Sequence, residues 1–293
     1  MIEGSSGERP SQDGIAPSST IFPSPTSHEN VASFIPDSSF IQEAELSISA
    51  KSDQQVPGFW VKKYEKDRAR NWDTFYKNNG ENFFKDRHYL EREFSLDFPL
   101  DEVCRFIELG CGVGNALLPL VESHQKIMGI GVDCSKVAIG LLNGRIKDSG
   151  LEHRCSARVV DLTEVGDTLD DLVGSADYVS LFFAISACAP ESYNRVAEVV
   201  HRLLKPGGKL LFRDYAKYDL AQIRLSQKQS KLGEAFYVRG DGTRAKFFTE
   251  AEVTSIFSSM KCLTLGTHAR VITNRKTNTN MKRLWIQGTW QKL

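Results

Sequence analysis

Cysteine is sparse in this chain and poorly placed for covalent scaffolding. Its six cysteines, at positions 104, 111, 134, 155, 188 and 262, never fall into a Cys-x-x-Cys spacing, so they describe neither a disulfide framework nor a zinc site. Reduced thiols in an intracellular protein are the expectation. No apolar run approaches the span of a bilayer, and the start lacks the charged-then-apolar layout of a secretory signal. The chain therefore reads as soluble, cytoplasmic or nuclear, with no membrane partner. The six histidines, at 28, 88, 124, 153, 201 and 268, are scattered without ligand spacing, and no metal site is expected. Net charge is missing as well: 37 basic residues face 37 acidic ones, so bulk charge points to no partner.

What is present is unevenly distributed. Residues 1–55 hold two basic residues, Arg9 and Lys51, against eight acidic ones, which leaves 35 basic and 29 acidic residues in the remainder. The same segment has 13 serines and no sustained apolar period; it cannot bury enough surface to offset the entropy of ordering and reads as a disordered tail. Composition changes at about residue 56, where aromatics crowd in: Phe59, Trp60, Tyr64, Trp72, Phe75, Tyr76, Phe83, Phe84 and Tyr89. Residues 56–102 form an aromatic and basic segment, and 103–293 the main domain.

From residue 103 onward short apolar runs alternate with stretches of helical period, the signature of an α/β domain with a parallel sheet wrapped by helices. Strands are expected at 105–108, 127–132, 157–160, 178–183 and 209–212. Helices are expected near 115–124, 136–148 and 191–204, the last stopped by Lys205-Pro206-Gly207-Gly208. A polar, basic insert follows at about 215–246; a helix near 249–260 and two apolar runs, near 263–272 and 283–290, complete the sheet.

The first strand delivers Ile107-Glu108-Leu109 into Gly110-x-Gly112-x-Gly114, a turn that lets backbone approach a ligand closely. A dinucleotide fingerprint starting at Gly110 requires glycine at 115, where this chain has Asn115. The shorter turn suits the amino acid end of S-adenosyl-L-methionine. Asp133 closes the second strand, where a carboxylate can accept both ribose hydroxyls, and Asp161, beside Leu162, closes the third, where it can accept from an adenine amino group. Singly, each is an ordinary turn residue or cap; together they lie beyond the carboxyl ends of adjacent strands, where open sheets bind ligands. Cys111, inside the turn, reads as a small packed residue.

Residues 103–214 resemble the class I S-adenosylmethionine-dependent methyltransferases, which implies a Rossmann-like fold: a seven-stranded mixed sheet flanked by helices, its last strand antiparallel. The acceptor must be read from elsewhere. Residues 71–90 interleave rings with cations, a mixture that either stacks an unpaired base or packs an amphipathic helix on the core. The runs NWDTFYKNNGENFFKDRHYL, ELGCGVGN, LLFRDYAKYD and SKLGEAFYVRGDGTRAKFFT are together similar to the eukaryotic tRNA 3-methylcytidine methyltransferases. That resemblance implies methylation of cytidine 32 in the anticodon loop of a subset of tRNAs of the serine, threonine or arginine type. SKLGE is similar to the serine branch, and RGDGTR and RLWIQ to the threonine and arginine branch. An aminoacyl-tRNA synthetase or another accessory protein is an expected partner beside tRNA.

By position, the resemblance assigns Trp72, Tyr76, Gly110, Asp133, Asp161, Leu162 and Phe182 to the cofactor, and Gly112 of the glycine turn joins them. It assigns Phe83, Arg87, Asp214 and Tyr215 to the target-cytosine pocket, with His88 and Arg213 beside it. Asp214 and Arg87 are the expected catalytic pair, the first accepting from the cytosine amino group and the second donating to the ring carbonyl. From the insert, Arg239 and Arg244 are expected on tRNA phosphates. Two other readings of the same residues are methylation of a protein or small molecule, and a non-catalytic RNA-binding subunit with a decayed donor site. Intact Gly110, Asp133 and Asp161 oppose decay.

Overall fold

The computed structural model describes residues 31–51, 55–81, 83–88, 90–94, 102–274 and 279–293. In chain order they form β1 (Val31–Ser33), α1 (Ser38–Ser49), α2 (Gly58–Lys66), α3 (Arg68–Asn79) and α4 (Leu90–Phe94). An alternating series follows: β2 (Cys104–Leu109), α5 (Leu117–Ser123), β3 (Ile127–Asp133), α6 (Lys136–Asp148), β4 (Cys155–Val159), β5 (Ala176–Phe182), α7 (Tyr193–Leu203) and β6 (Leu204–Tyr215). Last come α8 (Leu220–Ser226), the short strands β7 (Lys231–Gly233), β8 (Phe236–Val238) and β9 (Arg244–Lys246), α9 (Glu250–Ile256), and the long pair β10 (Lys261–Asn274) and β11 (Thr279–Gln291).

Strands β2 to β6 are parallel, and β11 runs antiparallel between β6 and β10, giving the mixed seven-stranded sheet expected from the sequence. An eighth strand, β1, is added antiparallel along the edge of β10. Alternate residues of the central strands feed two cores. Ile107, Leu109, Val179 and Leu181 join the cluster under α7 and α9, whereas Phe106, Tyr178 and Phe182 join the one under α5 and α6. Burial on both faces makes these strands nearly continuous apolar runs, which is why they were legible. Helix α7 ends at Leu203, where Leu204 turns extended ahead of Pro206, and the chain enters β6 directly.

Two expectations need correction. Within the tail read as disordered, residues 31–33 pair with the sheet edge and 38–49 form a helix capped by Asp37, whose carboxylate accepts from Phe40 N at 2.8 Å. That helix is held from outside: Tyr218 OH donates to Glu45 at 2.6 Å, and the Lys282 ammonium lies 4.9 Å from the Phe40 ring centre. The rest of the segment, residues 1–30 and 52–54, lies outside the described residues. The insert, read as a polar basic loop, instead holds α8 and an antiparallel sheet of three short strands around buried Phe236, Tyr237 and Ala245. Among the described residues, no helix is long and apolar enough to cross a membrane.

The insert is moored by a buried ion pair. Asp219 has no exposed surface; it caps α8 through Ala221 N at 2.7 Å and accepts from Arg283 Nε and Leu284 N, both at 2.8 Å. Removing Asp219 takes the buried Arg283 guanidinium's carboxylate away, so Asp219→Ala is expected to lower unfolding free energy by about 3 kcal/mol in urea titrations, and Asp219→Ala with Arg283→Met by clearly less. Equal losses in the two variants would show that the pairing does not matter.

Candidate functional site

Strand β2 ends in a turn whose three glycines all take positive φ: 75° at Gly110, 53° at Gly112 and 80° at Gly114. Each is also closely approached. A Cβ would lie 2.4 Å from Ala184 Cβ at Gly110, 2.3 Å from the Tyr76 hydroxyl at Gly112 and 2.5 Å from Leu142 Cδ1 at Gly114. Asp133, at the tip of β3, fixes the turn: Oδ2 accepts from Gly112 N at 2.9 Å and Oδ1 from Ser135 N at 2.8 Å. Burial raises the Asp133 carboxyl above its usual range, and those two amide bonds oppose the rise. Each oxygen keeps a further lone pair for a ribose hydroxyl.

A helical arm, α2 and α3, lies over this turn. Tyr76 covers Gly112, and Trp72, Phe75, Phe83 and Phe84 pack with it against Val113 and Ala138. Asp73 pins the arm to the start of α6, accepting from Ser135 Oγ at 2.7 Å and Val137 N at 3.1 Å. Arg68 pins it to the end of β4, donating from Nε to Asp161 at 2.8 Å and from Nη2 to Glu164 at 2.7 Å. Asp161 also accepts from Thr163 N and Oγ1, and the adjoining Leu162 is buried. Asp73 and Arg68 were missed in the sequence, where nothing marks a charge as paired with a residue some 60 to 90 positions away.

Asn115, the residue that breaks the dinucleotide spacing, holds the loop carrying Arg87. Its side-chain amide donates to Phe84 O at 3.0 Å and Asp86 Oδ1 at 2.8 Å, and its backbone carbonyl accepts from Arg87 N at 2.7 Å. The Arg87 guanidinium faces the rings of Phe183, at 5.2 Å, and Phe182, at 5.9 Å, and its buried Nε has no hydrogen-bond partner. Glu108 Oε2 is likewise buried and unpartnered; burial pushes this carboxyl up to about 8, with Arg87 opposing. Glu108 carries no expectation from the sequence beyond its place in the strand.

Beyond Phe183 lies Tyr215, ring centres 5.0 Å apart, with the Arg239 guanidinium 5.6 Å from the Tyr215 ring. Asp214 is fully enclosed beside it, accepting from Ser186 N at 2.9 Å and Tyr215 N at 2.8 Å; burial pushes its carboxyl up to about 6. Arg87, Phe182, Phe183, Tyr215 and Arg239 thus form one wall, with Asp214 enclosed beside it. Phe83 stays in the arm's ring cluster, 4.7 Å from Phe75, and His88 is exposed.

Two expected RNA contacts are corrected. Arg213 is buried between the Phe94 and Trp285 rings, paired with Glu93 and Gln287, so it faces away from Asp214 and holds α4 to the sheet. Arg244 is 3% exposed and paired with Glu65 of the arm, which removes it from any phosphate. Among the described residues no group of three or more His, Cys, Asp or Glu could hold a metal.

The strand order and the glycine turn define a methyltransferase fold. A family model described as "Methyltransferase domain" matches residues 106–208. In solved structures the fold recurs in a SAM-dependent methyltransferase of Anabaena variabilis, with TM-score 0.56 and 16% identity over 77% of this chain and 95% of that one. Among curated proteins, the tRNA N(3)-methylcytidine methyltransferase trm141 of Schizosaccharomyces pombe is 39% identical over 82% of this chain and 98% of its own length. The human tRNA N(3)-cytidine methyltransferase METTL6 is 42% identical, over 74% and 77%. The tRNA(Thr) (cytosine(32)-N(3))-methyltransferase of Saccharomyces cerevisiae is 38% identical over 85% of this chain, which spans 41% of that longer protein. The chain belongs to the tRNA N(3)-cytidine methyltransferase family.

S-adenosylmethionine fits the residues present: three positions too tight for a Cβ, an orphaned buried carboxylate oxygen on Glu108, and carboxylates at the tips of β3 and β4. Gly112→Ala sets a methyl against the Tyr76 hydroxyl at a φ that L-residues resist. It is expected to weaken binding of S-adenosylhomocysteine about tenfold in calorimetry. Tyr76→Phe in the same chain, which moves the nearest contact from 2.3 to 3.3 Å, is expected to restore part of the loss. Unchanged affinity in Gly112→Ala would place the donor elsewhere.

Proposed function

We propose that the protein transfers a methyl group from S-adenosylmethionine to ring nitrogen 3 of cytidine 32 in the anticodon loop of a subset of tRNAs of the serine, threonine or arginine type. The observation that carries this reading is the match along 98% of an N(3)-methylcytidine methyltransferase, joined to an arginine and aromatic wall beside the donor turn.

When bound, the donor supplies an electrophilic methyl on a sulfonium. Nitrogen 3 of cytosine carries a free lone pair at neutral pH, so no side chain has to remove a proton before attack. What the protein contributes is alignment, worth about 7–11 kcal/mol of barrier when two reactants are held in attack geometry. That nitrogen is masked in a duplex, so the base has to enter unpaired. In this reading Phe183 and Tyr215, whose rings are in contact, offer the base one aromatic surface, and Arg87 donates from its unpaired Nε to the ring carbonyl. Asp214 accepts from the exocyclic amino group and favours the positive charge that methylation leaves on the ring. Because Asp214 is enclosed, one of the side chains around it moves as the base enters. Of the two insert arginines expected on phosphate, Arg239, half-buried and over Tyr215, is the one that keeps access to an anticodon-loop phosphate. An aminoacyl-tRNA synthetase or another accessory protein is the proposed partner beside tRNA.

Tritiated donor incubated with total tRNA and total protein separates the RNA reading from protein methylation, and nucleoside mass spectrometry of the labelled tRNA identifies the product. 3-Methylcytidine is expected; label in protein alone overturns the proposal. Arg87→Ala and Asp214→Ala are each expected to abolish most transfer while S-adenosylhomocysteine affinity holds.

The pH profile tests Asp214 separately. With its carboxyl raised to about 6, the group is neutral below that pH and loses its charge-assisted acceptance, so kcat/KM is expected to fall on the acid side with a midpoint near 6. Asp214→Asn is expected to flatten this limb at low activity. An unchanged limb in that variant would assign it to another group.

A further inference from the structure

The arm that covers the donor turn has a second face. Lys62, Lys66, Arg70 and Lys77 recur at intervals of four, four and seven along α2 and α3, and all four are exposed. None of them forms an ion pair among the described residues, while every acid between residues 58 and 80 is engaged. Glu65 pairs with Arg68 and Arg244, Asp67 with Lys63 at 2.9 Å, and Asp73 with the start of α6. The outer face is therefore a strip of net positive charge, about 22 Å long at 1.5 Å per residue, which Asp67, paired to Lys63 and near Lys66 and Arg70, offsets only in part. The two helices act as one rod, since Asp67 N donates to Lys63 O at 2.9 Å and Asn71 N to Asp67 O at 2.8 Å across their junction.

Resting on the tRNA reading above, we propose that this strip binds the phosphates of the anticodon arm, and that RNA and methyl donor thereby bind with positive coupling. The inner face of the same rod closes the donor site, through Tyr76 over Gly112 and Arg68 on Asp161. A donor enters or leaves as the rod lifts. RNA with its base against the Arg87 and Tyr215 wall and its phosphates on the strip touches domain and rod together, so lifting the rod then costs RNA contacts as well. Coupling is reciprocal: whatever RNA adds to donor affinity, donor adds to RNA affinity.

The test uses the full chain, a synthetic anticodon stem-loop RNA and S-adenosylhomocysteine. In the wild type, calorimetry is expected to show the nucleoside binding about tenfold tighter in the presence of saturating RNA. Lys66→Glu with Arg70→Glu is expected to bind the nucleoside alone as the wild type does, which also reports an intact fold, but to lose the gain from RNA. Its RNA affinity is expected to fall, with the slope of log affinity on log salt shallower by about 1.5, for two phosphate contacts at 0.7–0.9 each. If the variant binds and methylates the stem-loop with unchanged affinity and slope, the strip is overturned and the tRNA reading stands. If donor affinity in the wild type ignores RNA, the coupling is overturned. If the wild type neither binds nor methylates any RNA, the reading beneath both fails.

Discussion

One carboxylate organises the donor half of this molecule. Asp133 gathers the amide of Gly112 from the turn and the amide of Ser135 from the cap of α6, so the tips of two strands and the start of a helix share one buried charge. Burial opposes that charge and the two N–H bonds favour it. Ser135 then passes the constraint outward, since its hydroxyl donates to Asp73 of the arm. The shape of the glycine turn and the placement of the arm are two consequences of one arrangement. A change at any of these four residues reaches the donor site even where it touches no ligand.

Charge was the least readable part of the sequence. Arg213 and Arg244 read as RNA-facing, and Lys246 lies in the same basic insert as Arg244, yet all three are nearly buried, each paired with a glutamate from another element: Glu93, Glu65 and Glu252. A basic residue in an insert is a surface group by default, because removing its charge from water is costly. It goes inside only where a partner waits, and for Arg244 that partner is 179 positions away. Lys62 and Lys66, in a segment of similar composition, have no such partner on their face and stay in water.

Legibility followed burial. The central strands were found within a few residues because both their faces are covered and the apolar run itself marks them, and α6 was bounded at 136–148 because Ser135 caps it and its apolar residues keep helical spacing. Helix α1 was missed because Ala44 is its one fully buried residue; a serine-rich stretch of that kind becomes a helix through outside contacts such as Tyr218 with Glu45, not through its own pattern. The donor side was legible because positive φ demands glycine and strand tips favour acids. On the acceptor side, rings spaced for a helix face suit a base pocket and a core equally. Phe83 went to the core, 4.7 Å from Phe75, while Tyr215 went to the wall.

Phe183 carries a different kind of information. It holds φ at 57°, in the left-handed region that a ring-bearing residue resists at a cost of about 1–2 kcal/mol. Neighbouring residues of a strand point to opposite faces, so Phe182 and Phe183 in regular β5 geometry would present their rings on opposite sides. The reversal at Phe183 lets both face the Arg87 guanidinium, at 5.9 and 5.2 Å. Its amide still reaches Arg213 O at 2.8 Å, and its ring meets Tyr215, so the strained conformer is fixed from three sides. Glycine would relieve the strain and remove the ring that joins the Arg87 and Tyr215 halves of the wall. The strain is therefore explained by the position of the ring, and the wall exists because β5 stops being a strand one residue before its pattern would have carried Phe183 to the far face.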